Sequence, residues 1–344
     1  MSMKLLLALL IVVVAFYFFR RHSKKNEKKV KTPADFKIGT DYAFGRGSPE
    51  MDALAAEAFT KVAKSGDVEA YAALGYMYSR GIHFNRDYEQ AFKWYKLAAD
   101  AGHATAIYEL SVLYIDGLGV PIDRNESIKL INKASELGEP TAQKVLGLFY
   151  ELGAYGINED RKEALKWYMK AGEKGNSYAQ WKIGDAYIDG ILIHKNVDKA
   201  FEWFTKSAEQ NDIAAIHRLG LYNAMGIENI EPNFEIAFNW YMKGALLGDA
   251  QCECDLGWYY LLGRWVEKNE EEASRWFTKA VDKEYGEAGE ALGNMFAKGL
   301  YFDQDLEEAK KWFLWAESRG VSVAEEKETN QARFGIKESS SPQN

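Results

Sequence analysis

The chain repeats itself. Leu74, Leu110, Leu146, Ile183, Leu219, Leu256 and Leu292 follow Ile38 at intervals of 36 or 37 residues, and most are followed by glycine. Four residues before each stands a small side chain, from Ala34, Ala70 and Ala106 to Cys252 and Ala288. Four residues after each stands an aromatic, except at Asn223. Offsets of −4, 0 and +4 share one face of a helix, so this stretch is a helix, A. A glycine follows at a fixed distance (Gly81, Gly117, Gly153, Gly190, Gly226, Gly263, Gly299), suited to the left-handed residue that ends a helix. A period of this length excludes a single globular core and requires stacked units that each bury a face on the next.

The second half of each unit is equally regular. Asp87, Asp123, Asp160, Asn196, Asn233, Asn269 and Asp305 each stand seven residues before an aligned position held by Trp94, Leu130, Trp167, Trp203, Trp240, Trp276 or Trp312. Asp and Asn are strong N-caps, and Glu126, Glu163, Glu272 and Glu308 lie where a capping box places its acid. Small residues three before and four after the tryptophan make a stripe on this second helix, B. The indole is expected to fill the space between helices. Gly66, Gly102, Gly138, Gly175, Gly248 and Gly320 then end helix B. Asn211 can take the same backbone conformation, and Glu284 is expected to resist it.

Units reading A-x-x-x-[L/I]-G-x-x-Y, glycine, a loop with Asp, then A-x-x-W-[Y/F]-x-x-A resemble Sel1-like repeats, relatives of the tetratricopeptide repeat. The stretch "ALGYMYSRGIHFNRDYEQAFKWYKLAADAG" (73–102) carries the resemblance most fully. Ser111 and Leu130 depart from it in the third unit and Ala58 in the first, and the paired cysteines of disulfide-bearing members are missing. The resemblance implies an all-α fold, a right-handed α-solenoid of about eight repeats over 33–320. Residues 321–333 are expected as a polar capping helix, and 321–344 as that cap plus a disordered tail.

The first 32 residues stand apart. Leu5–Phe19 is an uncharged apolar run, followed by Arg20, Arg21, Lys24, Lys25, Lys28, Lys29 and Lys31. Basic residues concentrated after the run favour an uncleaved single-pass anchor with the long domain cytoplasmic, over a cleaved signal peptide. A bacterial inner-membrane protein is expected, with a periplasm-facing domain as the alternative. The whole chain carries −8, and removing the basic N-terminal segment leaves the rest at −15, which disfavours nucleic acid.

Residues opposite the helix-A stripe line the concave side of a tetratricopeptide domain, and the resemblance makes that face the expected partner surface. Phe36, Tyr76, Tyr108, Trp181, His217 and Trp258 fall on it at offsets −2 and +2, with Ile115, Glu151, Ile188 and Leu261 at +5. Either these rings grip a protein or peptide, or a tightly wound solenoid buries the face itself. The five histidines occupy unrelated offsets, and H-E-x-x-H, G-x-S-x-G and the P-loop pattern are absent. Cys252 and Cys254 point to nearly opposite sides of a helix and cannot bridge each other. The expectation is a non-enzymatic adaptor without cofactor or metal, or alternatively an envelope assembly factor or an immunity protein that blocks a toxic effector.

Overall fold

The computed structural model describes residues 49–228 and 230–321. They form fifteen helices: α1 (Pro49–Ala63), α2 (Val68–Arg80), α3 (Tyr88–Asp100), α4 (Ala104–Asp116), α5 (Arg124–Glu136), α6 (Pro140–Leu152), α7 (Arg161–Glu173), α8 (Ser177–Asp189), α9 (Val197–Glu209), α10 (Ile213–Met225), α11 (Phe234–Leu246), α12 (Ala250–Leu262), α13 (Glu270–Val281), α14 (Gly286–Lys298) and α15 (Leu306–Glu317). Even-numbered helices are the A helices and odd-numbered ones the B helices. Among the described residues the one β interaction is the isolated bridge Ile227–Ile230.

The chain divides into two compact units, the first reaching Leu146 and including 155–157, the second comprising 147–154 and everything from Asn158. In the first unit α1 to α5 pack each on the next, and in the second α7 to α15 do the same. This is an all-α solenoid. The expected first helix of the first repeat, the capping helix, the tail and the apolar run Leu5–Phe19 lie outside the described residues. Among the described residues no helix is long and apolar enough to cross a membrane.

The A-to-B loop is held by a clasp that recurs in every described repeat. Each capping Asp or Asn accepts a hydrogen bond from a backbone N–H in the first turn of its B helix, as the spacing predicts. The cap residue's own N–H donates back to helix A, to the carbonyl four past the reference leucine: Asp87 to Tyr78 at 3.1 Å, Asn269 to Tyr260 at 2.9 Å, Asp305 to Phe296 at 3.1 Å. That bond uses the donor a capping box would need. The acids Glu126, Glu272 and Glu308 turn outward instead, to Lys129 (3.2 Å), Arg275 (2.6 Å) and Lys311 (2.7 Å), and Glu163 pairs likewise with Lys166. The expected capping box is therefore corrected to an exposed i,i+3 pair, a small contribution in water.

The ring that locks each helix pair is one residue away from the tryptophan. Tyr95, Tyr168, Phe204, Tyr241 and Phe277 are buried, while Trp94, Trp167, Trp203, Trp240 and Trp276 are half-buried. At about 100° per residue, small residues at −3 and +4 sit near 60° and 40°, so the indole at 0 and the ring at +1 lie equally far from the centre of the stripe and the paired helix decides between them. The buried ring lies on the glycine of the paired A helix. A Cβ built on Gly184 would stand 2.5 Å from the Phe204 ring, and one on Gly257 2.4 Å from Phe277. Helix-interior glycine is retained here for close approach, against its lower helix propensity. The third repeat makes a paired exchange, with Ser111 in place of glycine and Ile131 in place of the ring, both buried.

The tryptophans serve the neighbouring interface. Trp94 packs on the α1–α2 core, Trp203 on the α7–α8 core and Trp312 on the core of α12 to α14. Lysines three residues on cover the outer faces of the indoles: Lys170 over Trp167 at 3.8 Å, Lys206 over Trp203 at 4.4 Å and Lys279 over Trp276 at 3.8 Å.

Glu284 does take the left-handed conformation it was expected to resist, at φ 62°, like Asn211 at 65°. Two backbone bonds hold it: its N–H to Val281 O at 2.8 Å and the next N–H, of Tyr285, to Ala280 O at 3.1 Å. Replacing Glu284 with glycine relieves this strain. The expected result is a gain of about 1 kcal/mol in urea unfolding, and an unchanged or lower midpoint would contradict it.

Candidate partner-binding site

In the second unit Trp181, His217 and Trp258 stand on α8, α10 and α12, three A helices in succession. Each is half-buried. Trp181 rests edge-on against Tyr178 at 5.4 Å, with Lys182 Nζ 4.8 Å from its ring centre. His217 tilts onto Tyr241 at 6.0 Å, and Trp258 sits edge-on to Phe277 at 5.4 Å. Each exposed ring edge is therefore backed by the repeat's interior. In the first unit Tyr76 and Tyr108 stand on α2 and α4, both half-buried, with the Arg80 guanidinium 5.6 Å from the Tyr76 ring centre. Burial, with Glu109 and other carboxylates adding to it, pushes the Tyr108 phenol up to about 12. Phe36 lies outside the described residues. Of the +5 positions, Leu261 is buried and belongs to the core, which corrects its placement on the partner face.

The expected face is thus neither freely solvated nor sealed. Polar links between A helices, which helical spacing within one repeat does not reveal, explain why. Arg218 Nε on α10 reaches Asp185 Oδ1 on α8 at 3.0 Å, and His217 Nε2 lies 3.4 Å from Asp255 Oδ2 on α12. On the other side Lys182 Nζ donates to Glu151 Oε1 at 2.6 Å, and the Tyr168 hydroxyl donates to Glu151 Oε2 at 2.5 Å. These bonds set the spacing of the aromatic row. The available signal is the residue just before the reference leucine, which is Glu109, Lys182, Arg218 or Asp255 in four repeats. A cleft of about 430 Å³ opens beside Lys182, bounded by Glu151, Tyr168, Asp185 and Asp189.

The carboxylates of this face differ by environment. Burial pushes Glu151 up, but the hydrogen bonds from Lys182 and Tyr168 outweigh it and hold its pKa below the usual carboxylate value. At Asp185 burial wins over Arg218 and the pKa is raised. Glu109 in the first unit is also raised, by burial first, with Arg80 opposing and Glu139 adding. A carboxyl whose folded value is raised gives stability that is fully present below its unfolded value of about 4.3 and is lost as pH rises through the folded one. Glu109→Gln removes that dependence. Its melting temperature relative to the parent chain is therefore expected to improve between pH 4 and pH 7, and a difference that stays constant across that range would contradict the assignment.

Cys252 and Cys254 are buried and form no disulfide among the described residues, and they belong to different core clusters on either side of α12. Among the described residues no cluster of three or more His, Cys, Asp or Glu side chains could hold a metal.

A stack of paired helices whose A faces carry half-buried rings, held in register by ion pairs, defines a helical-repeat domain. The chain belongs to the Sel1 repeat family: its family pattern matches 68–103, 104–139, 140–176, 177–212, 213–249, 250–285 and 289–320. Sel1 repeat proteins generally mediate protein–protein interaction. Among solved structures the chain is similar to a protective antigen of uropathogenic Escherichia coli, with a TM-score of 0.66 and 28% identity, covering 90% of this chain and 72% of that one. It is also similar to a Sel1 repeat protein from Oxalobacter formigenes, with a TM-score of 0.57 and 26% identity, covering 86% and 85%. Among curated proteins it is 27% identical over 198 residues to chitin synthase regulatory factor 3 of Schizosaccharomyces pombe, covering 56% of this chain and 17% of that protein. The chain spans less than a third of the length of the curated relatives it matches.

Proposed function

We propose that the chain is a membrane-tethered adaptor that holds a protein or peptide partner on the A-helix face of its repeats. Trp181, His217 and Trp258 form the grip of the second unit, Tyr76 and Tyr108 are the corresponding candidates within the first, and Phe36 is the candidate at the equivalent sequence offset outside the described residues. The observation that carries this reading is the row of half-buried rings on three successive A helices. Rigid aromatics with one face backed and one edge free are the side chains that dominate binding energy at interfaces. The tether is Leu5–Phe19, with the seven basic residues after it on the cytoplasmic side. Affinity capture from native membranes tests the reading. The full chain is expected to retain a partner that Trp181→Ala with Trp258→Ala loses, while both proteins keep the same helical content. Retention of every partner by the double variant would remove the grip.

A second reading has the solenoid facing outside the membrane as an envelope assembly factor, and the likeness to a bacterial protective antigen favours it. Alkaline phosphatase fused after Asn344 separates the two, because activity there requires export.

A further inference from the structure

We infer that the A-to-B loop edge of the second unit is a separate docking surface, for a protein segment that interleaves basic and apolar side chains. Large apolar side chains stand in the open along this edge in four consecutive repeats: Ile191 is 81% exposed, Trp265 57% and Tyr301 52%, and Met225 and Leu306 join them. Scattered exposed apolar residues need no explanation, but a row repeated at one edge marks a contact surface. Two of its rings are also held against backbone preference. Trp265 and Tyr301 sit two residues past the helix-ending glycines with φ at 62° and 63°, a slot that Gly119 fills in the third repeat and that His83, Tyr155 and Glu228 fill elsewhere. Any side chain there strains the backbone relative to glycine. Both loops are fastened to one carboxylate: Glu270 accepts from Lys268 Nζ at 2.7 Å and from the Tyr301 backbone N–H at 2.9 Å. The rings are thus held in place on the surface.

Charge selects the occupant. Two cations of this edge are paired with carboxylates, Lys195 with Glu228 at 2.8 Å and Lys268 with Glu270, and Arg264 lies over the Phe234 ring at 4.7 Å with its charge retained, outnumbered by acids. The exposed acids Glu231, Glu267 and Asp303 make no ion pair among the described residues. Uncompensated negative charge beside exposed rings complements a cationic segment with apolar side chains, and repels an anionic bilayer. Trp181 and Trp258 are not part of this edge, so it binds independently of the A-helix face.

The test titrates a fluorescent 12-residue peptide, arginine and leucine alternating with glycine spacers, into the full chain held in phosphatidylcholine nanodiscs. Trp265→Gly with Tyr301→Gly removes both rings and relieves both strained backbones, so the variant is expected to melt no lower than the parent. The expected results are saturable binding and affinity at least tenfold weaker in that variant. Glu267→Gln with Asp303→Asn is expected to weaken binding and flatten its salt dependence, and Trp181→Ala to leave it unchanged. The inference is overturned if empty nanodiscs bind as well, if a serine-for-leucine peptide binds equally, or if the double glycine variant binds like the parent.

Discussion

Gly184→Ser is expected to destabilise the second unit by about 2 kcal/mol, although serine is a better helix residue than glycine. The sign reverses because of what lies above the glycine. Phe204 is fully buried, and an added Cβ would stand 2.5 Å from its ring, so the ring or the helix must move. Overfilling a packed interior costs about 1–3 kcal/mol. Phe204→Ile alone leaves a gap and is expected to cost about 1–2 kcal/mol, less than complete truncation of a buried phenylalanine. Combined, the two exchanges recreate the pair already present as Ser111 and Ile131 in the third repeat. The double variant should then lose clearly less than the sum of the single losses, by about 1 kcal/mol or more of coupling in urea unfolding. Simple addition would mean that the ring and the glycine do not share one space.

Phe277→Ala carries the same logic into the binding face and has the larger stability effect. The ring is fully buried over Gly257, and its truncation is expected to cost about 3–5 kcal/mol. It also supports Trp258 from behind at 5.4 Å. In a stack where each repeat touches only its neighbours, such a loss stays local before it spreads. Hydrogen exchange should therefore show α12 to α15 opening at lower free energy than α8 to α10, and partner capture should fall even where the chain remains largely helical. Uniform loss of protection along the second unit would argue against the nearest-neighbour picture.

Much of this was legible as spacing. The −4, 0, +4 stripe, the helix-ending glycines and the Asp or Asn caps each depend on positions within a few residues of one another. Adjacent aromatics defeat that method. A stripe wide enough to accept either Trp203 or Phe204 does not say which ring is central until the partner helix and its glycine are in place. Glu126 and Glu308 depart from the capping-box pattern for a different reason. The cap N–H that they would need is donated instead to the carbonyl of Tyr114 or Phe296, across the loop in the preceding helix. Glu284 reflects tertiary context overriding a local preference. The links Arg218–Asp185 and Lys182–Glu151 join residues of neighbouring repeats, so no pattern within one repeat displays them. For the same reason the aromatic row could be placed on a face from sequence, while its half-buried state could not.

The adaptor reading is tested most directly by site-specific photo-crosslinking in native membranes, with the reactive residue placed at position 181, 217 or 258 on the A helices, or at the exposed position 202 on the outer side of α9. Capture of the same protein from all three A-helix positions, and not from 202, is the result the account predicts. Capture from 202 with none from the A helices would contradict it.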